Sequence, residues 1–171
     1  MALWVSGCSV YTHSVRHDAV PDASRAYVYG RFQMDDHGTG GAMGFVLGCS
    51  LGDKYETYNL GFSYTRPLQV FEVLPGGCQI DGTIYTGEID QIAGQRSAPL
   101  GVLRDRDLRP GVGYYIGDFR AVATRTFKYP EIRSGWGITE IKSEYAATTQ
   151  DMKAEFPNLA SLPTEDASKH R

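Results

Sequence analysis

Apolar and polar residues alternate along most of this chain, and a period of two is the pattern of a half-buried strand. From Ala26 to Gln33, Val28 and Phe32 fall on one face, and Tyr27, Tyr29 and Arg31 on the other. Met43 to Leu51 repeats the pattern, with Met43, Phe45, Leu47 and Cys49 predicted inward. Gly52-Asp53-Lys54 then closes a hairpin to Tyr55 to Tyr64, where Tyr58, Leu60 and Phe62 share a face. Pro67 suits the start of a fourth strand, Leu68 to Leu74, because no ladder donor is lost there. Cys78 to Thr86 predicts a fifth, with Cys78, Ile80 and Ile84 inward. Leu100 to Leu103 is a short candidate, Gly111 to Phe119 a clear strand, and Ala121 to Tyr129 and Gly135 to Ser143 two more.

The period changes after Ser143. Tyr145, Thr149, Met152 and Phe156 recur at helical spacing, Ser143 can cap the helix, and Pro157 ends it. Short strands at close spacing with Gly and Pro turns predict a mostly-β fold: an antiparallel β-sandwich with one C-terminal amphipathic helix. Its twenty glycines and eleven tyrosines fit that class. Residues 1–25 read as a truncated signal remnant, a lipid-attachment motif and a polar linker; 26–159 as the sandwich with its helix; and 160–171 as a flexible tail. The net charge of −3, without a basic block, argues against nucleic acid as a partner. No apolar run reaches the roughly 18 residues of a membrane span.

Val5-Ser6-Gly7-Cys8 resembles the lipobox of bacterial lipoproteins, in which small residues admit the signal peptidase and the cysteine thiol takes diacylglycerol. The resemblance implies lipidation at Cys8 and a lipid-anchored, periplasm-facing place in the cell envelope, with the membrane as first partner and another envelope protein as a second. Ser9 stands where Asp would mark inner-membrane retention, which favours the outer membrane. Few apolar residues and no cation precede the motif, so the same residues also suit a cytosolic chain. With Cys8 set aside for lipid, Cys49 and Cys78 remain as an even pair: a disulfide in an oxidising compartment, or two buried thiols. The hairpin Val70-Phe71-Glu72-Val73-Leu74-Pro75-Gly76-Gly77-Cys78-Gln79-Ile80 resembles that of transthyretin-like and carboxypeptidase-regulatory-like sandwiches. Tyr114 to Asp118 and the Phe156-Pro157-Asn158-Leu159 ending resemble uncharacterised bacterial lipoproteins of similar size. Such families lend no catalytic residues.

Candidate chemistry is sparse. His13 and His17 stand four apart but in a segment without a helical stripe, and Asp35-Asp36-His37 reads as a turn, so no metal or other cofactor is expected. Glu88, Asp90, Asp105 and Asp107 are paired carboxylates of a kind that glycosidases use, beside Arg104, Arg106 and Arg109. They define the alternative reading, an envelope glycan hydrolase. Glu72 is predicted to point to water and Asp118 to cap a turn. Tyr27, Tyr29, Tyr55, Tyr64 and Tyr85 are predicted on wet strand faces, as a contact surface or as cross-strand pairs. The leading expectation is a lipid-anchored, non-catalytic binding or accessory module.

Overall fold

The alternating segments pair into two sheets that face each other across an apolar core. The computed structural model describes residues 11–37, 41–87, 93–104 and 106–169. Among these the strands are β1 (Ala26–His37), β2 (Ala42–Leu51), β3 (Lys54–Gly61), β4 (Leu68–Val73), β5 (Gly76–Thr86), β6 (Ala93–Leu100), β7 (Asp107–Leu108), β8 (Gly113–Lys128), β9 (Glu131–Lys142) and β10 (Thr164–Asp166). The helix α1 spans Tyr145–Glu155. The molecule is therefore a mostly-β sandwich with one helix near the C-terminus. Sheet 1 has the order β10-β8-β1-β4, with β9 also on β8; sheet 2 has the order β3-β2-β5-β6, with β7 also on β5.

Every pair in sheet 2 is antiparallel, as expected. Sheet 1 differs, because β8 runs parallel to both β1 and β10. Parallel pairing belongs in sheets covered on both faces, and sheet 1 has the core on one face and α1 on the other. A bulge breaks the β1–β8 register after Tyr29, and there the two backbones nearly touch. A Cβ at Gly30 would lie 2.1 Å from the Gly117 carbonyl oxygen, and Gly117 itself has φ of +132°. Both positions require glycine. The segments predicted as two strands, Gly111 to Phe119 and Ala121 to Tyr129, form the single strand β8.

Phe32 sits at the centre of the core, with Phe45, Phe62, Phe71 and Phe119 around it at ring-centroid distances of 5.5–6.3 Å. The inward positions predicted for β2 and β3 all belong to this core. The prediction fails in the second half of β5. An irregularity between Ile80 and Gly82 shifts the side-chain parity, so Tyr85 points inward and Ile84 is only partly buried.

The outer face of sheet 1 was predicted wet and is dry. Met152, Phe156 and Leu159 pack onto Tyr27, Tyr29, Tyr115, Leu68 and Val70. Their hydroxyls are used: Tyr29 bonds Thr149 Oγ1 (2.6 Å), and the Glu144 N–H donates to Tyr115 Oη (2.8 Å). Burial pushes the Tyr29 hydroxyl up to about 12. Ser143 does not cap α1; its hydroxyl meets Ser168 instead, at 2.8 Å.

Both expected loose ends begin on the sandwich. Thr164–Asp166 adds β10 to the free edge of β8, and Ala167 is buried in the core. The pairing gives an otherwise open edge its hydrogen bonds. At the other end, the Thr12 N–H donates to the Asn59 carbonyl (2.9 Å), and the Val15 N–H to that of Val70 (2.8 Å). The Tyr11 ring lies over Gly44 and Gly61, and its hydroxyl donates to the Ala42 carbonyl at 2.8 Å.

Candidate functional site

The residues singled out by sequence scatter in the fold. Cys8, Glu88, Asp90, Asp105 and His170 lie outside the described residues. Asp107 is exposed on β7, opposite Gly77. Cys49 and Cys78 are directly opposed on β2 and β5, joined as a disulfide with Cα atoms 4.1 Å apart. Asp35, Asp36 and His37 continue β1 rather than turning. Of the five tyrosines, Tyr55 and Tyr64 are exposed, while Tyr27, Tyr29 and Tyr85 are buried by α1 or by the opposite sheet. Glu72 is half-exposed, as predicted, and sits 3.6 Å from the Arg25 guanidinium. Asp118 does not cap a turn; it accepts from the Arg31 N–H (3.2 Å) and from the Thr148 hydroxyl (2.8 Å). Burial raises its carboxyl above the ordinary aspartate value.

A cleft of about 600 Å³ lies beside the edge of β4. Three separated segments build it. Residues 14–18 form one wall, fixed by Ser14, whose hydroxyl donates to the Val70 carbonyl (3.1 Å) and accepts from the Val70 N–H (3.0 Å). The β3–β4 connection brings Arg66, whose N–H donates to Ser63 Oγ at 3.0 Å. The C-terminal end of α1 brings Phe156, which with Leu68 supplies apolar surface. The His17 ring stacks on Phe156 at 5.0 Å and 16°. His17 Nδ1 lies 2.9 Å from the Glu155 carbonyl, which can only accept, so that nitrogen carries the proton. Arg16 makes a two-pronged pair with Asp18 (3.0 and 2.9 Å) on the exposed rim. A charged pair so exposed is weakly held, and an incoming anion can compete for the guanidinium.

This arrangement joins an aromatic and aliphatic surface to two arginines and a histidine, with the carboxylates Asp18 and Glu155 on the same lining; a small anion with an apolar face would bind by displacing Asp18 from Arg16. Sequence reasoning missed it because no local motif links Arg16, Arg66 and Phe156. His17 is exposed, as a polar segment predicts, and its stacking on Phe156 depends on where α1 ends in the fold.

A second polar cluster ties the sheets together. The Arg25 guanidinium donates to Glu56 Oε2 and to Tyr58 Oη, each at 2.8 Å, and the Tyr58 hydroxyl bonds Glu56 in turn. These bonds bring the Glu56 carboxyl down to about 2. The Leu74 N–H donates to Tyr58 Oη at 2.8 Å, so the cluster also pins the end of β4. Its role is structural: it holds the entrance of β1 to β3.

Among the described residues, no three or more His, Cys, Asp or Glu side chains converge as a metal site. No described helix is long and apolar enough to cross a membrane. No protein-family model and no curated protein matches the chain. Among solved structures, the chain is similar to a "putative cell adhesion protein" from Bacteroides uniformis ATCC 8492, at 10% identity and a TM-score of 0.24. That alignment covers 68% of this chain, which spans about half the length of the other.

Proposed function

We propose that this chain is a lipid-anchored, non-catalytic binding module of the bacterial cell envelope, tethered at Cys8, with the cleft between Arg16, Arg66 and Phe156 as its recognition site. The observation that carries this reading is the course of residues 11–18. They start three residues after Cys8, dock on both sheets through Tyr11, Thr12 and Val15, and end as a wall of the cleft. A tether at Cys8 then holds the cleft at a set side of the molecule, close to the bilayer. Tethering raises the local concentration of the site toward envelope partners, so modest affinity suffices. Two or three acyl chains would make the attachment stable where one would not.

Two measurements test the reading. The full gene, expressed in a bacterial host fed an alkyne fatty acid, is expected to yield labelled protein in the membrane fraction, with label lost in Cys8→Ser. An unlabelled, soluble product overturns the anchoring. For recognition, ¹⁵N-labelled protein titrated with glucuronate is expected to show shifts at Arg66, His17 and Phe156 that glucose does not cause. Equal responses to both sugars, or none, remove the anion-binding role.

A further inference from the structure

Sheet 1 has α1 across its outer face, whereas the outer face of sheet 2 carries an open aromatic seat. Directly opposed residues share a face of a sheet, and Tyr55, Ser50, Gly77 and Asp107 are opposed in turn across β3, β2, β5 and β7. They form one row on the outer face, because Cys49 and Cys78, the next residues along β2 and β5, belong to the core. The row beside it is Thr57, Gly48 and Gln79. The Tyr55 ring leans from the first row over the second. A Cβ at Gly48 would collide with the Tyr55 hydroxyl, so the ring lies down only because that position is glycine. One side of the ring is thus turned to the sheet, yet Tyr55 stays 64% exposed.

The seat has a polar frame and a stiff floor. A recess of about 530 Å³ opens at the ring and is bounded by Ser50, Gln79, Arg106 and Asp107. Asp81 reaches the same place: its Oδ2 lies 3.2 Å from where a Gly48 Cβ would stand, and its Oδ1 accepts from Gln79 Nε2 at 2.8 Å. That bond uses one of the two amide N–H groups of Gln79 and fixes the plane of the amide. Arg106 is held at the rim by donating to the Lys169 carbonyl at 3.3 Å. On the inner side of the same strands, the Cys49–Cys78 disulfide ties β2 to β5. A floor fixed in this way costs a ligand little ordering on binding.

We propose that the outer face of sheet 2 binds a neutral carbohydrate, with one pyranose ring lying on Tyr55 and its hydroxyls held by Gln79, Asp81 and Asp107. A pyranose with equatorial hydroxyls has C–H groups over its faces and hydroxyls around its edge, which is the complement of one flat ring inside a polar frame. The electron-rich face of an aromatic ring attracts polarised C–H groups. A hydroxyl both donates and accepts, so it can meet the carboxylates and the Arg106 guanidinium alike. Two carboxylates against one guanidinium disfavour an anion at this place. A lone aromatic among charged side chains also lacks the apolar centre of a protein interface, from which aspartate is depleted. The surface lies on the other sheet from the cleft beside β4, and it stands without the tether at Cys8.

The test titrates the ¹⁵N-labelled full-length chain with cellotetraose, with chitotetraose and with sorbitol, which has the hydroxyls but no ring face. Either oligosaccharide is expected to shift Tyr55, Gly48 and Gln79, and sorbitol at equal concentration is expected to leave them in place. Tyr55→Ala is expected to weaken binding about tenfold, while Tyr55→Phe, which keeps the ring, retains most of it. Gln79→Ala is expected to weaken binding severalfold through the lost hydrogen bonds. Tyr55 and Gln79 are both exposed, and thermal melting checks that each variant stays folded. No shift with either oligosaccharide, an equal response to sorbitol, or undiminished binding by Tyr55→Ala would each overturn the proposal. The glucuronate titration is read at Arg66, His17 and Phe156, so failure of this surface and failure of the cleft are distinguishable.

Discussion

The Thr148 hydroxyl donates to Asp118 Oδ2 at 2.8 Å, which makes a buried threonine on α1 the polar pin of the helix on sheet 1. Asp118 is nearly enclosed, and it also accepts from the Arg31 backbone N–H and lies 3.8 Å from the Arg31 guanidinium. Thr148→Val keeps the shape of the side chain and removes the donor. A hydrogen bond to a charged group contributes about 1.5–3 kcal/mol, and a loss of that size is expected in urea unfolding. Thr149→Val, which removes the neutral bond to Tyr29, is expected to lose only about 0.5–1.5 kcal/mol.

Cys49 and Cys78 close a loop of about 30 residues, for which the chain-entropy model gives roughly 3–4 kcal/mol. Protein made in an oxidising compartment is expected to show both thiols blocked to alkylation before reduction. Cys49→Ala/Cys78→Ala is expected to unfold at lower temperature by an amount matching that range. Full alkylation of native, unreduced protein would contradict the prediction.

Two carboxylates respond to acid in opposite senses. The Glu56 carboxyl is lowered from 4.5 to about 2 by its bonds to Arg25 and Tyr58, so its contribution is full above pH 4.5 and is lost as pH falls toward 2. Asp118 is raised by burial, so its contribution is full below the unfolded value of 3.8 and declines as pH rises through the folded one. The stability gap between wild type and Glu56→Gln is expected to narrow below pH 4. For Asp118→Asn, the loss relative to wild type is expected to grow toward low pH, where the wild-type carboxyl is protonated in its favoured form. Melting temperatures measured between pH 2.5 and 7 check both slopes.

Gly30→Ala is expected to be the most damaging single-methyl change in sheet 1. Its Cβ would meet the Gly117 carbonyl at 2.1 Å, and a backbone atom cannot turn aside. A loss of about 3 kcal/mol or more is expected, at the upper end of overpacking costs. Gly137→Ala, where a Cβ would meet nothing within 4 Å, is the matched control and is expected to be near neutral. Circular dichroism melts of the two variants suffice.

Sequence periodicity exposed the strands because sandwich strands have one dry face, and Val28, Phe45 and Leu60 all fell where alternation put them. It failed where a non-local partner set the environment. Tyr27 and Tyr29 looked wet because nothing nearby in sequence announces that α1, more than a hundred residues later, will cover them. Ile84 was placed inward because an unbroken period was assumed across Asp81, and a bulge leaves no reliable mark on composition. Parallel pairing of β1 with β8 was likewise invisible, since strand direction depends on the route of the whole chain. The cleft was illegible for the same reason: Arg16, Arg66 and Phe156 become neighbours only after both sheets and the helix are in place.

The parallel pairing of β1 with β8 also sets an order of events during synthesis. Sheet 2 draws all its strands from residues 42–108, so it can assemble while the chain is still emerging. Sheet 1 needs β1 together with β8 and β9, a closure of nearly ninety residues. Such long-range closure is slow and comes late. A ribosome-bound chain therefore carries β1 without its central neighbour for about ninety further residues, and its apolar face stays uncovered while sheet 2 is already paired.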